Sequence, residues 1–182
     1  MHILHIDSSI RGTDSVSRQL TASIVASLTA NCEASVTYRD LSGIPPETLA
    51  AEADGRSLSY VDEFLEADTI VIGAPMYNLG VPWRLKAWIE ALAVPQKTFR
   101  YTASGPQGLA GGRHIIIAYA CGGYHSGPTE DFVEPYLRAV FGLIGITRID
   151  CVRAEGTRAA AGQLPQILEA AAMHITEITR QA

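Results

Sequence analysis

Two apolar triplets, Ile70-Val71-Ile72 and Ile115-Ile116-Ile117, lie deep in the chain, and a third apolar run, Ile3-Leu4-His5-Ile6, lies near its start. Short continuous runs of this kind, rather than alternating ones, fit strands covered on both faces. On this basis strands are expected at Ile3–Asp7, Ala34–Arg39, Thr69–Gly73, His114–Tyr119 and Ile146–Ala154. Between and after them, apolar residues recur at helical spacing, as at Leu85, Trp88, Ile89 and Leu92. Helices are accordingly expected at Ser17–Ala30, Ser57–Ala67, Pro82–Ala93, Thr129–Leu143 and Gln163–Arg180. Pro82 and Pro165 suit first helical turns, where a missing N–H costs nothing. Leu41–Arg56 and Val94–Gly112, rich in Pro and Gly, read as surface excursions with no regular structure beyond the aromatic run Phe99-Arg100-Tyr101.

Strict strand–helix alternation predicts an α/β fold, and five repeats fit a flavodoxin-like doubly wound parallel sheet of order 2-1-3-4-5, with helices on both faces. The 182 residues, 47% of them hydrophobic, suit one domain, 1–182, with a single sizeable core. The net charge of -5 is spread without a Lys/Arg cluster, which excludes the positive field that nucleic acid needs. No run approaches the roughly twenty apolar residues of a membrane-spanning helix, and no basic, then apolar, signal segment follows Met1. Three widely spaced cysteines, Cys32, Cys121 and Cys151, suggest neither a disulfide framework nor a zinc site. A soluble, cytoplasmic protein is expected.

In doubly wound sheets ligands bind beyond the carboxyl ends of the strands, so the loops after the first, third and fourth strands carry the candidate chemistry. The first runs Ser8-Ser9-Ile10-Arg11-Gly12-Thr13-Asp14-Ser15-Val16-Ser17 into a helix. Hydroxyls and free N–H groups at a helix N-terminus suit a phosphate, which makes Ser9, Ser15 and Ser17 candidate donors. An N-cap role for Ser15 or Ser17 explains them equally well. Arg11 could pair with the phosphate or simply be solvated. Neither a P-loop lysine nor GxGxxG spacing is present. The second loop, Ala74-Pro75-Met76-Tyr77-Asn78-Leu79-Gly80-Val81-Pro82, is apolar with one central amide, as a flat aromatic ligand requires. In the third, Ala120-Cys121-Gly122-Gly123-Tyr124-His125, the paired glycines allow close backbone approach.

These loops, with Ser8-Ser9, Ser15-Val16-Ser17, Thr98-Phe99-Arg100-Tyr101, Gly105-Pro106, Glu134-Pro135-Tyr136-Leu137, Gly142-Leu143-Ile144-Gly145-Ile146 and Glu155-Gly156, resemble the FMN-dependent NADH:quinone oxidoreductase and azoreductase family over nearly the whole chain. The resemblance implies a flavodoxin-like homodimer with one FMN per subunit and NADH or NADPH as electron donor. It implies that Ser9, Ser15, Val16 and Ser17 hold the FMN phosphate, that Met76, Tyr77, Asn78 and Leu79 lie along the isoalloxazine, and that Ala120, Cys121, Gly122 and Gly123 contact its polar edge. His125 would then be the catalytic donor, although it could also cap the following helix. Hydride would pass from the nicotinamide cofactor through FMN to a quinone or azo compound by a ping-pong mechanism. Two departures stand out: Ala120-Cys121 replaces the family's common Ser-Arg, and the Leu41–Arg56 segment is short.

Cys121 reads more simply as a small core residue than as a redox thiol. Trp83, Phe99 and Tyr101, off the helical stripes, suit a subunit interface or the rim of the pocket, while a plain surface aromatic is an equal reading for Trp83. An FMN electron carrier that docks to protein partners is the alternative function. It would call for a strongly acidic face, and the charge here is modest and mixed. No G-x-S-x-G elbow supports a hydrolase.

Overall fold

The computed structural model describes residues 1–55, 58–125 and 130–180. Five parallel strands form the central sheet: β1 His2–Asp7, β2 Ser35–Asp40, β3 Thr69–Pro75, β6 His114–Ala120 and β7 Arg148–Ala154, in the order β2-β1-β3-β6-β7. This is the expected 2-1-3-4-5 order once the two intervening strands of a separate hairpin are set aside. The central strands β3 and β6 are buried along their whole length, which accounts for their continuous apolar runs.

Period-two side-chain alternation divides these runs between two cores. Ile70, Ile72, Ile115 and Ile117 point to one face, with Phe64, Trp88 and Phe141. Val71 and Ile116 point to the other, with Leu20, Ile24, Leu28 and Ile175. Helices α1 (Val16–Asn31) and α6 (Leu164–Thr179) supply the second face, the one holding Leu20 to Leu28 and Ile175. The first is covered by α3 (Ser59–Glu66), α4 (Trp83–Leu92) and α5 (Glu134–Leu143). The stripe Leu85, Trp88, Ile89 and Leu92 is buried as expected.

Several boundaries move for physical reasons. Pro82 is the N-cap of α4 rather than its first residue. Helix α5 starts at Glu134, where the Asp131 carboxylate accepts from the Val133 and Glu134 N–H groups at 3.0 and 3.2 Å. Residues Ser57 and Thr129, expected as helix starts, lie outside the described residues. Strand β7 begins at Arg148 because residues 145–146 close α5: the Ile146 N–H reaches back to the Phe141 carbonyl at 3.0 Å, with Gly145 at φ +97°.

Both excursions contain structure that the sequence did not signal. In the first, α2 (Pro46–Ala53) forms and buries Leu49. Its Glu52 is buried and accepts from the Ser59 hydroxyl at 2.6 Å and the Tyr60 N–H at 3.2 Å, setting a carboxylate at the start of α3. In the second, β4 (Phe99–Thr102) and β5 (Gly105–Gly108) pair antiparallel. Phe99 is buried within the subunit, which corrects its expected place at an interface or rim; Tyr101, packed edge-on against it at 5.5 Å, is exposed.

This hairpin docks through two glycines. A Cβ on Gly108 would stand 2.1 Å from the Gly145 nitrogen, so backbone lies directly on backbone. Gly108→Ala should therefore lower stability by about 1–3 kcal/mol or displace the hairpin. Gly142→Ala, within α5 and with nothing near its Cβ, should be neutral or stabilising by up to about 1 kcal/mol. Thermal or urea unfolding of the two variants checks the contrast.

Candidate active site

The strand order reverses between β1 and β3, and the loops leaving their carboxyl ends part there. The first loop is held by its backbone. Arg18, one turn into α1, donates from Nε and Nη2 to the Ser9 carbonyl at 3.2 and 2.7 Å. The same guanidinium reaches Asp40 at 2.7 Å, Ser42 and Tyr38 at 3.0 Å each, and Asp7 at 3.4 Å. Burial alone would lower the Arg18 pKa, but the two carboxylates outweigh it and raise the pKa. Asp7 is itself buried, takes the Thr21 hydroxyl at 2.9 Å, and leaves room for no side chain at Gly73, whose Cβ would stand 2.9 Å from it.

With the loop fixed, Ser9 just after β1 and Ser15 and Ser17 at the start of α1 are all buried. Ser15 is the N-cap, its Oγ accepting from the Arg18 N–H at 3.3 Å, and it also lies 3.0 Å from the Ser17 Oγ. The cap and the hydroxyl cradle are thus the same residue. The Ser9 Oγ lies 3.0 Å from the Tyr77 hydroxyl, which links the first loop to the second.

The second loop turns back on itself in two residues. Tyr77 and Gly80 exchange backbone hydrogen bonds of 2.8 and 3.1 Å, with Asn78 at φ +49° and Leu79 at φ +68°. Two left-handed central residues define a type I′ turn. Asn takes this conformation readily; the bulky Leu79 does so under strain, and it is half exposed.

The third loop is stitched to the chain leaving β7. The Cys121 N–H donates to the Ala154 carbonyl at 3.0 Å, the Gly156 N–H to Gly123 at 2.7 Å, and the Arg158 N–H to Gly122 at 3.1 Å. The Cys121 thiol is buried and donates to the Gly123 carbonyl at 3.1 Å; burial raises its pKa, which keeps it a thiol. Farther along, the His125 N–H donates to Glu155 Oε2 at 3.3 Å, and its imidazole lies against Gly123.

Arg153 anchors this side, donating to Asp131 at 2.7 Å, Glu134 at 2.5 Å and Glu155 at 2.5 Å, with its guanidinium 4.4 Å from the Tyr119 ring centroid. Burial pushes the Asp131 and Glu134 carboxyls up, but Arg153 and neighbouring donors outweigh it, so both stand below their ordinary values.

The three loops enclose a cleft of about 680 Å³, within the range of small-ligand sites. Of the expected residues it brings together Ser9, Ser15, Val16, Ser17, Met76, Tyr77, Ala120, Cys121 and Gly122. Asn78 instead lines a smaller cavity of about 340 Å³ on the far side of Tyr77, shared with Trp83 and Arg84. Leu79, Gly123 and His125 lie outside the cleft lining. Thr157, Arg158 and Leu164, from the chain after β7, also line it and were missed. The available signal was Glu155-Gly156, which already belonged to the motif set and leads straight into them.

Fold and cleft define a flavodoxin-like protein, and a family model described as flavodoxin-like fold matches residues 1–178. The chain is 48% identical to an FMN-dependent NADH:quinone oxidoreductase of Sinorhizobium fredii over 90% of its own length and 89% of that protein. It is 50% identical to FMN-dependent NADH:quinone oxidoreductase 1 of Xanthomonas axonopodis pv. citri over 86% of each. It belongs to the FMN-dependent NADH:quinone oxidoreductase family. Among solved structures, an azoreductase from Bacillus anthracis str. Sterne superposes with a TM-score of 0.87 at 25% identity, covering all of both chains. An FMN-dependent NADH-azoreductase from Bacillus anthracis str. Ames Ancestor, in complex with FMN, shares the fold at 23% identity with a TM-score of 0.83, over all of this chain and 99% of that one.

The depressed carboxyls set a pH dependence. Groups held below their unfolded pKa of about 4 stabilise the fold above that pH, and the contribution is lost as pH falls through the depressed folded values. Arg153→Gln removes the opposing charge, so acid unfolding followed by circular dichroism should move to higher pH by roughly one unit.

Proposed function

We propose that the cleft binds FMN and that the chain transfers hydride equivalents from NADH or NADPH to quinones or azo compounds, donor and acceptor using one site in turn. The observation that carries this reading is the cleft itself, with three buried serines at one end, two of them at the N-terminus of a sixteen-residue helix and Ser9 in the loop before it, and an apolar wall at the other. Buried hydroxyls at the positive end of a helix dipole suit a phosphate without requiring a lysine. Pro75, Met76 and Ala120 offer an apolar surface to a flat ring. Bound there, FMN supplies the two-electron chemistry, and the protein's part is to bind, orient and exclude water.

In this reading Ser9, Ser15, Val16 and Ser17 hold the phosphate. Met76 and Tyr77 frame the ring, Asn78 and Leu79 form the turn after β3 beside it, and Ala120, Cys121 and Gly122 bring backbone to its polar edge, with Gly123 next in the same loop. His125, held by its N–H to Glu155 with its imidazole against Gly123, is the donor that stabilises the anionic reduced ring or the quinone oxygen. Exposed Trp83 and Tyr101 serve a homodimer whose second subunit roofs the cleft. No helix among the described residues is long and apolar enough to cross a membrane, and the three thiols are free, in keeping with a reducing cytoplasm.

Protein reconstituted with FMN and desalted should stay yellow and oxidise NADH when a quinone is added; colourless protein, or a clear preference for FAD, would overturn the reading. Asn78→Gly keeps the left-handed turn while removing the amide, so it isolates the side chain better than a bulky replacement. It should leave FMN binding nearly unchanged, whereas Asn78→Val, which resists the left-handed conformation, should weaken it about tenfold, on the order of 1.4 kcal/mol, as read by flavin fluorescence titration. For the dimer, Trp83→Glu should shift sedimentation toward monomer and lower quinone reduction together.

A further inference from the structure

The arginines of this chain are mostly committed. Arg18, Arg39, Arg138 and Arg153 pair with carboxylates. Arg113 donates to backbone carbonyls, including those of Phe64 and Ala110, Arg100 donates to Gln107, and Arg84 lies over the Trp83 ring. The cleft itself holds two, Arg11 and Arg158, both exposed, and neither guanidinium has a hydrogen-bond or ion-pair partner among the described residues.

They stand at different ends. Arg11 belongs to the serine end, where its N–H donates to the Ser9 Oγ at 3.3 Å. Arg158 belongs to the glycine end. Its N–H donates to the Gly122 carbonyl at 3.1 Å, and its Cβ, Cγ and Cδ lie 3.4–3.6 Å from where a Gly122 Cβ would be. The stem is therefore laid along the loop that lines the cleft, and the guanidinium has no ion-pair partner among the described residues.

We propose that Arg158 is an electrostatic partner of bound FMN, placing a fixed positive charge beside the polar edge of the ring and so favouring the reduced, more negative form. This rests on the FMN reading above. Charge near the ring nitrogens is one of the few means by which a protein tunes this cofactor. In the same reading Arg11, on the serine loop, acts on the phosphate, whose charge is the same in both redox states, so it strengthens binding of both forms equally.

The test measures FMN affinity by titration of the apoprotein and the midpoint potential of the bound cofactor, for the unsubstituted chain and for Arg158→Gln, Arg158→Lys and Arg11→Gln. Arg158→Gln should bind oxidised FMN nearly as well but reduced FMN about tenfold more weakly, lowering the two-electron potential by about 30 mV. Arg158→Lys should recover most of that shift. Arg11→Gln should raise the dissociation constant of FMN with little change in potential. An unchanged potential in Arg158→Gln overturns the proposal, and a raised KM for NADH alongside it would assign Arg158 to the donor's phosphates instead. If the unsubstituted chain binds no FMN, the functional reading fails together with this one.

Discussion

The cleft depends first on Arg18 gripping a backbone carbonyl. Ser9 and Ser15 belong to a loop that must turn sharply from β1 into α1, and loops of this length have many conformations to lose. Arg18 removes most of that freedom by donating two hydrogen bonds to the Ser9 carbonyl while its charge is balanced by Asp7 and Asp40. Because Asp7 is buried in the space that a side chain at position 73 would need, the arrangement also demands glycine in β3. The hydroxyl cradle follows from the same contact, since the N–H that Ser15 caps is that of Arg18 itself.

Arg153 does the corresponding work on the opposite side, tying α5, β7 and the loop carrying Gly122 to His125 through three carboxylates. Both hubs consume acidic side chains outside the cleft, whose lining has Asp14 as its one carboxylate among the described residues. A site with little negative charge suits a ligand that brings its own phosphate and a ring that gains electron density.

The close glycine contact between Gly108 and Gly145 explains a sequence feature that has no local rationale. Gly145 ends α5 in a left-handed conformation, which glycine favours anyway, but the 2.1 Å approach to a Gly108 Cβ shows that the hairpin packs directly on this turn. The hairpin thereby closes over the end of α5, and Ala110 is fixed by a 2.8 Å hydrogen bond to the Ile144 carbonyl.

The sequence by itself determined the sheet, its five strands, most helices and the residues of three loops. Doubly buried strands leave continuous apolar runs, and binding loops follow them at fixed places in this topology. It could not reveal α2, because Pro45-Pro46 reads as a break although proline is tolerated in a first helical turn, nor the β4–β5 hairpin, whose short strands carry Pro106 and two glycines and no period-two pattern. Only tertiary structure decided that Phe99 is buried and that Asn78 faces a second cavity. It alone brought Arg158 to the cleft, because that contact joins two loops 36 residues apart through hydrogen bonds such as that from Thr157 to Cys121. Local spacing carries no trace of such pairings, which exist only once neighbouring strands have set their loops side by side.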